Sequence, residues 1–290
     1  MFIKYIYLLI ICFIFSEQKE YPEPIDFDKG IEIPDIVKSL YDDDLVQPIS
    51  SQAIDKIKSK AKAYIPEPVS DNDIIIFETS AGTFKGHFFN QKAPNHCLNF
   101  KKLANSGFYD GTKFHRVIPN FMIQGGDILS RDGKKSNDGT GNPGWTVDAE
   151  FNDINHIRGT LSMARSSDPN SAGSQFFICV VPQKHLDGQY TAFGQITDRV
   201  RIIDHIVNSP TDSQYAIEQG QNSIPDGEDM NNWIMLKHPK TRKPLFYEVP
   251  KHQEKNSYKR EMMLNLRSNN PVIPVYIKTV RVVNGNDLND

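Results

Sequence analysis

The sequence predicts a mainly β domain of antiparallel strands, and three observations support this class. Two β-rich runs, 73–79 and 83–89, are joined by a Ser-Ala-Gly turn, which indicates a hairpin. After them, several short β-like runs are separated by clusters of Gly, Asn, Asp and Pro, a pattern typical of an antiparallel barrel. Two stretches with helical periodicity lie on either side of these later runs. We therefore expect a barrel with two helices packed against it.

Each of the two helices has its own start signal or apolar stripe. The first is predicted to begin at Pro94, because proline fits the first position of a helix, and to end before Gly107. Its apolar residues follow at three-residue spacing: Cys97, Phe100 and Leu103. The second helix is predicted over 198–207, where one side is apolar: Val200, Ile203 and Ile206.

The N-terminus has the pattern of an export signal, with an apolar run at 5–15 between Lys4 and Ser16. This run is shorter than the about 20 residues that a membrane-spanning helix needs. We expect cleavage after Ser16 and export to the periplasm, the secretory pathway or the exterior. The alternatives are an uncleaved signal that anchors the chain in a membrane and, less favoured because of the bulky Ile11, lipidation at Cys12.

The segment 17–71 is rich in Asp, Glu, Lys and Pro, and we interpret it as an extension or linker. It carries one short amphipathic helix between Ser51 and Tyr64, with apolar residues at helical spacing: Ile54, Ile57 and Ala61. The domain itself is expected to run from 72 to 283, and 284–290 to form a C-terminal tail.

Composition sets further limits on function. Of 290 residues, 38% are apolar and 24% charged, which is ordinary for a globular protein. A formal charge of −3 gives no electrostatic reason to expect a nucleic-acid partner. The eight histidines show no zinc-like spacing, so neither a metal nor a cofactor is predicted. After the signal only Cys97 and Cys179 remain, and two buried free thiols are favoured over a disulfide.

The most informative segment, 114–127, reads FHRVIPNFMIQGGD. Strand alternation would place Phe114 and Arg116 on one face, and His115 and Val117 on the other. A permanent cation at a position that a half-buried sheet gives to an apolar residue indicates a site. His115, on the opposite face, is expected to be a hydrogen-bonded structural residue and not a general base.

Two further motifs accompany it, GTLSMARS followed by GSQFFIC over 159–179, and HLDGQYTAFG over 185–194. Together the motifs closely resemble the cyclophilin family of peptidyl-prolyl isomerases, in a divergent, bacterial-like form. The resemblance covers about 73–210, and 275–283 is similar to the family's closing strand. It implies a closed eight-stranded antiparallel barrel capped by two α-helices.

Residues 211–270 interrupt this resemblance and are predicted to be an insertion before the last strand. Their periodicity is weak, their first part is acidic and their later part basic. Charge runs of this kind are usually solvated surface. The fold and role of the insertion are left open by the sequence.

The family's reaction is rotation about the peptide bond before proline, whose barrier of about 18–20 kcal/mol arises from amide conjugation. A catalyst must bind the twisted amide more tightly than either planar form. The resemblance assigns this task to Arg116, whose planar guanidinium stays charged and offers several donors. It adds Gln124 as the residue that positions substrate and arginine, and Phe121 beside them.

The substrate-binding residues are also implied by the resemblance. The apolar cup for the proline ring would consist of Phe121, Met122, Phe177 and Leu186. The extended peptide would run beside Ala164, Arg165 and Ser166. Further groove and rim positions are Gln175, His185 and Tyr190.

Three of these positions depart from the best-known eukaryotic pattern. His185 stands where tryptophan is frequent, Tyr190 where histidine is frequent, and Arg165 where asparagine is common. Sensitivity to cyclosporin is therefore open, whereas the changes need not affect isomerisation itself.

The sequence thus predicts a monomeric peptidyl-prolyl cis-trans isomerase that acts on X-Pro-containing polypeptides and assists the folding of exported proteins. No nucleic-acid partner and no membrane contact beyond the signal are expected. The alternative is a non-enzymatic module that binds proline segments or acts as a chaperone through the groove and the insertion. The joint presence of Arg116, Phe121, Gln124 and Phe177 argues against it, because binding alone requires no transition-state donor.

Overall fold

The computed structural model describes residues 47–288. The predicted signal at 1–16, positions 17–46 of the predicted extension and the last two residues of the predicted tail lie outside the described residues. From residue 47 to residue 288, no helix is both long enough and apolar enough to cross a membrane.

Helix α1 spans Ser51–Ala63, within the segment where a short helix is predicted. The Ser50 side chain caps it by accepting a hydrogen bond from the Ala53 amide at 3.3 Å. Ile54 and Ala61 are buried in the main hydrophobic core, so the helix is packed against the domain that follows it.

Eleven strands occur in the described part of the chain. In chain order they are β1 (Asp73–Thr79), β2 (Gly82–Phe88), β3 (Thr112–Lys113), β4 (Arg116–Ile118), β5 (Met122–Gly125), β6 (Thr160–Met163), β7 (Phe176–Cys179), β8 (Ala192–Asp198), β9 (Trp233–Lys237), β10 (Pro244–Glu248) and β11 (Tyr276–Asn284). Nine form one sheet in the order β3-β11-β1-β2-β8-β6-β7-β5-β4, and β9 pairs with β10. The pairings are antiparallel, so the domain is mainly β, as predicted.

The prediction of a closed eight-stranded barrel was wrong in both strand number and closure. The terminal strands β3 and β4 pair with β11 and β5, respectively, and not with each other. The chain leaves the strand conformation at Phe114 and His115, so the expected alternation fails there. Phe114 is fully buried in the core whereas Arg116 is exposed, and the two do not share a face. The backbone amide of Val117 in β4 donates to the carbonyl of Asn269 at 2.9 Å, and not to β3 as closure of the sheet would require.

Two helices pack against the nine-stranded sheet. Helix α2 spans Pro94–Asn105, and Gly107, with φ 81°, ends it in the left-handed conformation that glycine tolerates best. Helix α3 spans Arg201–Val207, a later start than predicted, because Asp198 still belongs to β8 and Arg199 turns the chain.

The main core lies between the sheet and these helices. Phe100 of α2 is at its centre, where its ring contacts several others, including those of Phe77, Phe176 and Phe193 at centroid distances of 6.1, 5.5 and 5.1 Å. Cys97 and Cys179 are both free and buried, which confirms that prediction. Burial raises the pKa of both thiols, that of Cys179 to about 12, so they remain neutral.

The insertion folds around a separate small core. It contains helix α4 (Asp212–Gln219), the β9–β10 hairpin and helix α5 (Lys255–Asn265). Its buried cluster comprises Ala216, Ile234, Leu236, Leu245, Tyr247, Met262 and Leu266. Each helix contributes only one of these apolar residues, Ala216 from α4 and Met262 from α5, which explains why sequence periodicity does not reveal them.

A short neck joins the insertion to the main domain. The amide of Asp212 donates to the carbonyl of Asn270 at 3.0 Å, and that of Ser213 to the carbonyl of Ser268 at 3.1 Å. The Asp212 carboxylate also forms an ion pair with Lys135, at 2.8 Å. The two ends of the insertion therefore leave and re-enter the domain side by side.

Candidate active site

The hairpin of β4 and β5 sets Arg116 and Gln124 beside each other. The turn between the strands uses Asn120 in the left-handed region, φ 59°, which asparagine adopts more readily than most residues. The resulting register pairs Arg116 with Gln124 and Ile118 with Met122. Because cross-strand neighbours lie close together on one face, Arg116 Nη1 donates to Gln124 Oε1 at 3.0 Å.

Alternation along β5 and β7 separates the side chains of the candidate site from those of the main core. The register of these strands pairs Gln124 with Phe177 and Met122 with Cys179. The residues that alternate with them along the two strands are buried in the main core: Ile123, Phe176 and Ile178. One face of the sheet therefore carries the side chains of the candidate site, and the other face packs in the main core.

An apolar hollow lies next to Arg116. Three residues of a buried cluster distinct from the main core line it, Met122, Phe177 and Leu186, and the fourth member, Cys179, is fully buried beneath them. The hollow has a volume of about 150 Å³ and is lined by Arg116, Phe121, Met122, Gln124, Ala164, Arg165, Phe177, Leu186 and Tyr190. Aromatic and thioether surfaces of this extent suit a small saturated ring.

A chain of amide groups fixes the direction in which Gln124 faces. The Gln175 side-chain nitrogen donates to the carbonyls of Gly139 and Gly141, both at 2.9 Å, so its oxygen points the other way. That oxygen accepts from Gln124 Nε2 at 3.0 Å, which leaves Gln124 Oε1 facing Arg116. The two glycine carbonyls are backbone groups in a turn-rich segment, and no sequence motif could have identified them.

Arg116 keeps its positive charge free in the groove. It forms no ion pair with a carboxylate among the described residues, unlike Arg158, which pairs with Asp204, and Arg281, which pairs with Asp110. Partial desolvation lowers the pKa of its guanidinium, which nevertheless stays protonated near neutral pH. The result is a cation held by an amide dipole and available to a ligand.

His156 packs against Phe177, one of the residues that line the hollow, and sequence analysis missed this role. Its ring stacks on that of Phe177 with a centroid distance of 6.0 Å and an interplanar angle of 16°. Its Nδ1 lies 3.0 Å from the Asp187 carboxylate and its Nε2 lies 2.9 Å from the Ser162 hydroxyl. Burial outweighs the attraction of Asp187 and lowers the pKa of His156. Nothing in its sequence spacing pointed to this position.

Three residues predicted to bind substrate do not line the hollow. Gln175 contacts Gln124, whose Nε2 donates to its side-chain oxygen, and is not among the lining residues. Ser166 is exposed, and its hydroxyl donates to Ser171 Oγ at 2.7 Å. His185 is exposed at the rim, with its ring 5.9 Å from that of Phe121.

His115 is buried, but it is not the satisfied residue that the sequence predicts. Neither ring nitrogen makes a hydrogen bond of normal geometry within the described residues, although Asp127, the backbone of Lys113 and the Gln175 side chain are nearby. Burial lowers its pKa, and the ring stays neutral near pH 7. Among residues 47–288, no cluster of three or more His, Cys, Asp or Glu side chains is arranged to hold a metal ion.

Fold and site together define the class of protein. It is an antiparallel β protein in which one face of the sheet presents an arginine beside an apolar hollow, and no carboxylate of residues 47–288 neutralises that arginine. A model of the family described as cyclophilin type peptidyl-prolyl cis-trans isomerase/CLD matches residues 74–224, about half of the chain. The chain therefore belongs to the cyclophilin-type peptidyl-prolyl cis-trans isomerases.

Two relatives found by sequence agree with this assignment. A peptidyl-prolyl cis-trans isomerase from Synechococcus elongatus is 52% identical over 123 residues, which are 42% of this chain and 79% of that protein. A peptidyl-prolyl cis-trans isomerase-like 1 protein from Aspergillus fumigatus is 40% identical over 147 residues, 48% of this chain and 85% of that protein. Among solved structures, a cyclophilin type peptidyl-prolyl cis-trans isomerase from Cryptosporidium parvum has a TM-score of 0.49 at 25% identity, covering 72% of this chain and 98% of that one.

Proposed function

We propose that this groove accelerates rotation about X-Pro peptide bonds, with Arg116 as the catalytic donor. The observation that carries the proposal is the position of Arg116 on the border of the hollow, where Gln124 holds it at 3.0 Å and no carboxylate among residues 47–288 pairs with it. A donor that is already oriented loses little further entropy when the substrate amide twists. It therefore stabilises the twisted amide more than either planar form, which is what catalysis of this rotation requires.

The remaining lining residues bind and orient the substrate. The proline ring occupies the hollow above Met122 and Phe177, with Phe121 and Leu186 at its sides. Gln124 holds the guanidinium in place, and the segment after β6, from Ala164 onward, borders the peptide. No step makes or breaks a covalent bond, so neither a nucleophile nor a general base is needed.

The test measures the isomerisation rate of a proline-containing reporter peptide. Arg116→Ala should lower kcat/KM by about 10²–10³-fold, the usual cost of removing one preorganised donor. Arg116→Lys keeps the charge but loses the planar fork, so it should recover only part of the rate. Because the Arg116 side chain is exposed, the melting temperature of both variants should stay close to that of the wild type.

Peptide binding, measured in parallel, separates the alternatives. A wild-type protein that binds the reporter without accelerating its isomerisation would overturn the proposal in favour of a non-enzymatic module. Equal rates for the wild type and Arg116→Ala would remove Arg116 from its catalytic role.

We extend the proposal to the biological setting: the protein acts as a monomer on exported polypeptides and assists their folding. The support is the signal-like pattern of Met1–Ser16 together with the slowness of uncatalysed proline isomerisation, which can limit folding. Mass spectrometry and sedimentation of the exported chain should find a monomer that begins at Glu17, and a chain that retains Met1–Ser16 would contradict cleavage.

A further inference from the structure

Arg165 is a second arginine on the border of the hollow, and it is held in a defined orientation. Its guanidinium carbon lies 4.5 Å from the centroid of the Tyr190 ring, a favourable cation–π distance. Its Nη2 and Nε donate to the carbonyl of Gln189, at 3.0 and 3.3 Å, and its Nη1 donates to the carbonyl of Ser166 at 2.9 Å and, more weakly, to that of Ser167 at 3.4 Å. These four bonds leave one of its five N–H donors, on Nη2, unused within the described residues.

The partners of Arg165 hold it without neutralising it. They are carbonyl dipoles and two aromatic faces, those of Tyr190 and, at 5.9 Å, Phe151. No ion pair joins Arg165 to a carboxylate in the described part of the chain. Two arginines outside the hollow do have carboxylate partners: Arg158 pairs with Asp204 and Arg281 with Asp110. An arginine in a groove that lacks such a partner is available for a carboxylate supplied by a ligand.

The lining of the hollow as a whole carries two positive charges and no negative charge. Within residues 47–288, Arg116 and Arg165 are its only charged residues, and the other seven lining residues are apolar or uncharged. The chain itself has a net charge of −3, so long-range attraction cannot bring acidic ligands to this groove. Any preference for an anion must come from the local field of these two cations.

We propose that Arg165 is a specificity-determining residue, which makes this site prefer X-Pro segments with a carboxylate side chain close to the proline. The proposal rests on the isomerase function proposed above and adds the chemical class of its substrate. Because Arg165 is already fixed by Tyr190, Gln189 and Ser166, a carboxylate that binds it does not have to order a mobile side chain.

The experiment compares three reporter peptides that differ only at one position flanking X-Pro, where they carry Glu, Gln or Lys, and it scans that position on both sides of the proline. At low ionic strength the wild type should turn over the Glu peptide about 2–5-fold faster than the Gln peptide at one flanking position, with the Lys peptide slowest, as expected for a single partly exposed ion pair. Raising the salt to about 1 M should remove most of this ratio, because the Debye length falls to about 3 Å.

Two substitutions attribute the preference to Arg165. Arg165→Gln should reduce the Glu-to-Gln ratio to near one, whereas Arg165→Lys should retain part of it. Arg260→Gln removes an exposed arginine of α5 outside the groove lining, and it should leave the ratio as in the wild type. The same peptides are also measured by equilibrium binding, so that affinity is read independently of turnover.

The outcomes are distinct. A wild type that accelerates the Glu and Gln peptides equally at every flanking position overturns the specificity proposal and leaves the isomerase function standing. A Glu-to-Gln ratio that keeps its wild-type value in Arg165→Gln also overturns it. So does a Glu-to-Gln ratio that falls as much in Arg260→Gln as in Arg165→Gln. A wild type that accelerates no peptide overturns the proposed function, and the binding data then decide whether Arg165 still selects acidic segments.

Discussion

At the scale of single residues, the site depends on which kind of partner each arginine receives. A carboxylate would fix a guanidinium equally well, but it would cancel the charge that a substrate must meet. Here Gln124 fixes Arg116, and backbone carbonyls with the Tyr190 ring fix Arg165. The groove thus keeps two oriented and unneutralised cations.

Gln175 should influence the reaction although it does not line the hollow. Gln175→Leu removes the acceptor that orients Gln124, so the Gln124 amide can rotate and Arg116 loses its fixed partner. One uncharged hydrogen bond is worth about 0.5–1.5 kcal/mol, which predicts a fall in kcat/KM of about 2–12-fold. The same substitution removes the hydrogen bonds to the Gly139 and Gly141 carbonyls, so it should also lower the free energy of unfolding by about 1–3 kcal/mol. In a double-mutant cycle, adding Gln175→Leu to Gln124→Ala should cause almost no further loss. Fully additive losses would show that Gln175 acts by another route.

At the scale of secondary-structure elements, the strand that carries Arg116 is supported by the insertion. On one side β4 pairs with β5, and on the other the Val117 amide donates to Asn269, at the end of the insertion. Beside this contact, Asp138 accepts a hydrogen bond from the Asn270 side chain at 3.0 Å. The neck of the insertion is therefore attached to the edge of the sheet that holds Arg116, the proposed catalytic donor.

Asp138 should make the stability of this region depend on pH. Burial raises its pKa from 3.8 to about 6, an effect only partly offset by Lys113 and by the hydrogen bond from Asn270. A raised pKa means that the folded state favours the protonated form, so the contribution is full below about pH 4 and is lost as pH rises through about 6. Asp138→Asn, which stays neutral, should therefore gain free energy of unfolding relative to the wild type between pH 4 and pH 7.

Denaturant unfolding at several pH values checks this expectation. Asp153→Asn is the matched control, because Asp153 is exposed, is paired with Lys92 at 2.6 Å and has a lowered pKa. Its difference from the wild type should have the opposite sign. Parallel pH curves for the wild type and Asp138→Asn would contradict the raised pKa.

At the scale of the whole molecule, the described chain contains two apolar cores of different kinds. The main core and the small core of the insertion are separate clusters. The two parts are joined by the neck and by two hydrogen bonds, from the Val117 amide to Asn269 and from the Asn270 side chain to Asp138. We therefore expect them to open independently.

Hydrogen exchange on two core variants tests this independence. Leu236→Ala, in the small core, should cost about 2–5 kcal/mol locally and speed amide exchange in β9 and β10, while β1 and β5 stay protected. Phe100→Ala, in the main core, should cost about 3–5 kcal/mol and speed exchange throughout the nine-stranded sheet. If Leu236→Ala speeds exchange in β1 as much as in β9, the two cores unfold as one unit.

Sequence patterns predicted local structure where a single signal was strong. Pro94 at the first position of α2 and the apolar residues that follow it determined that helix, and the Ser-Ala-Gly turn determined the β1–β2 hairpin. They failed where tertiary contacts override periodicity. Phe114 leaves the strand and enters the main core. Each helix of the insertion contributes only one apolar residue to the buried cluster of the small core, so the sequence shows no recognisable apolar stripe.

The sequence by itself determined the family, because its long motifs carry the residue types that the reaction requires, and it determined the mainly β class. Only the tertiary structure decided that β3 and β4 do not close the sheet, that Gln175 orients Gln124 through two backbone carbonyls, and that no carboxylate of the described chain neutralises Arg116 or Arg165. The physical reason is that the residue type determines which hydrogen bonds and which charge a side chain can provide. Partners that are distant along the chain determine where the side chain points and whether its charge is neutralised.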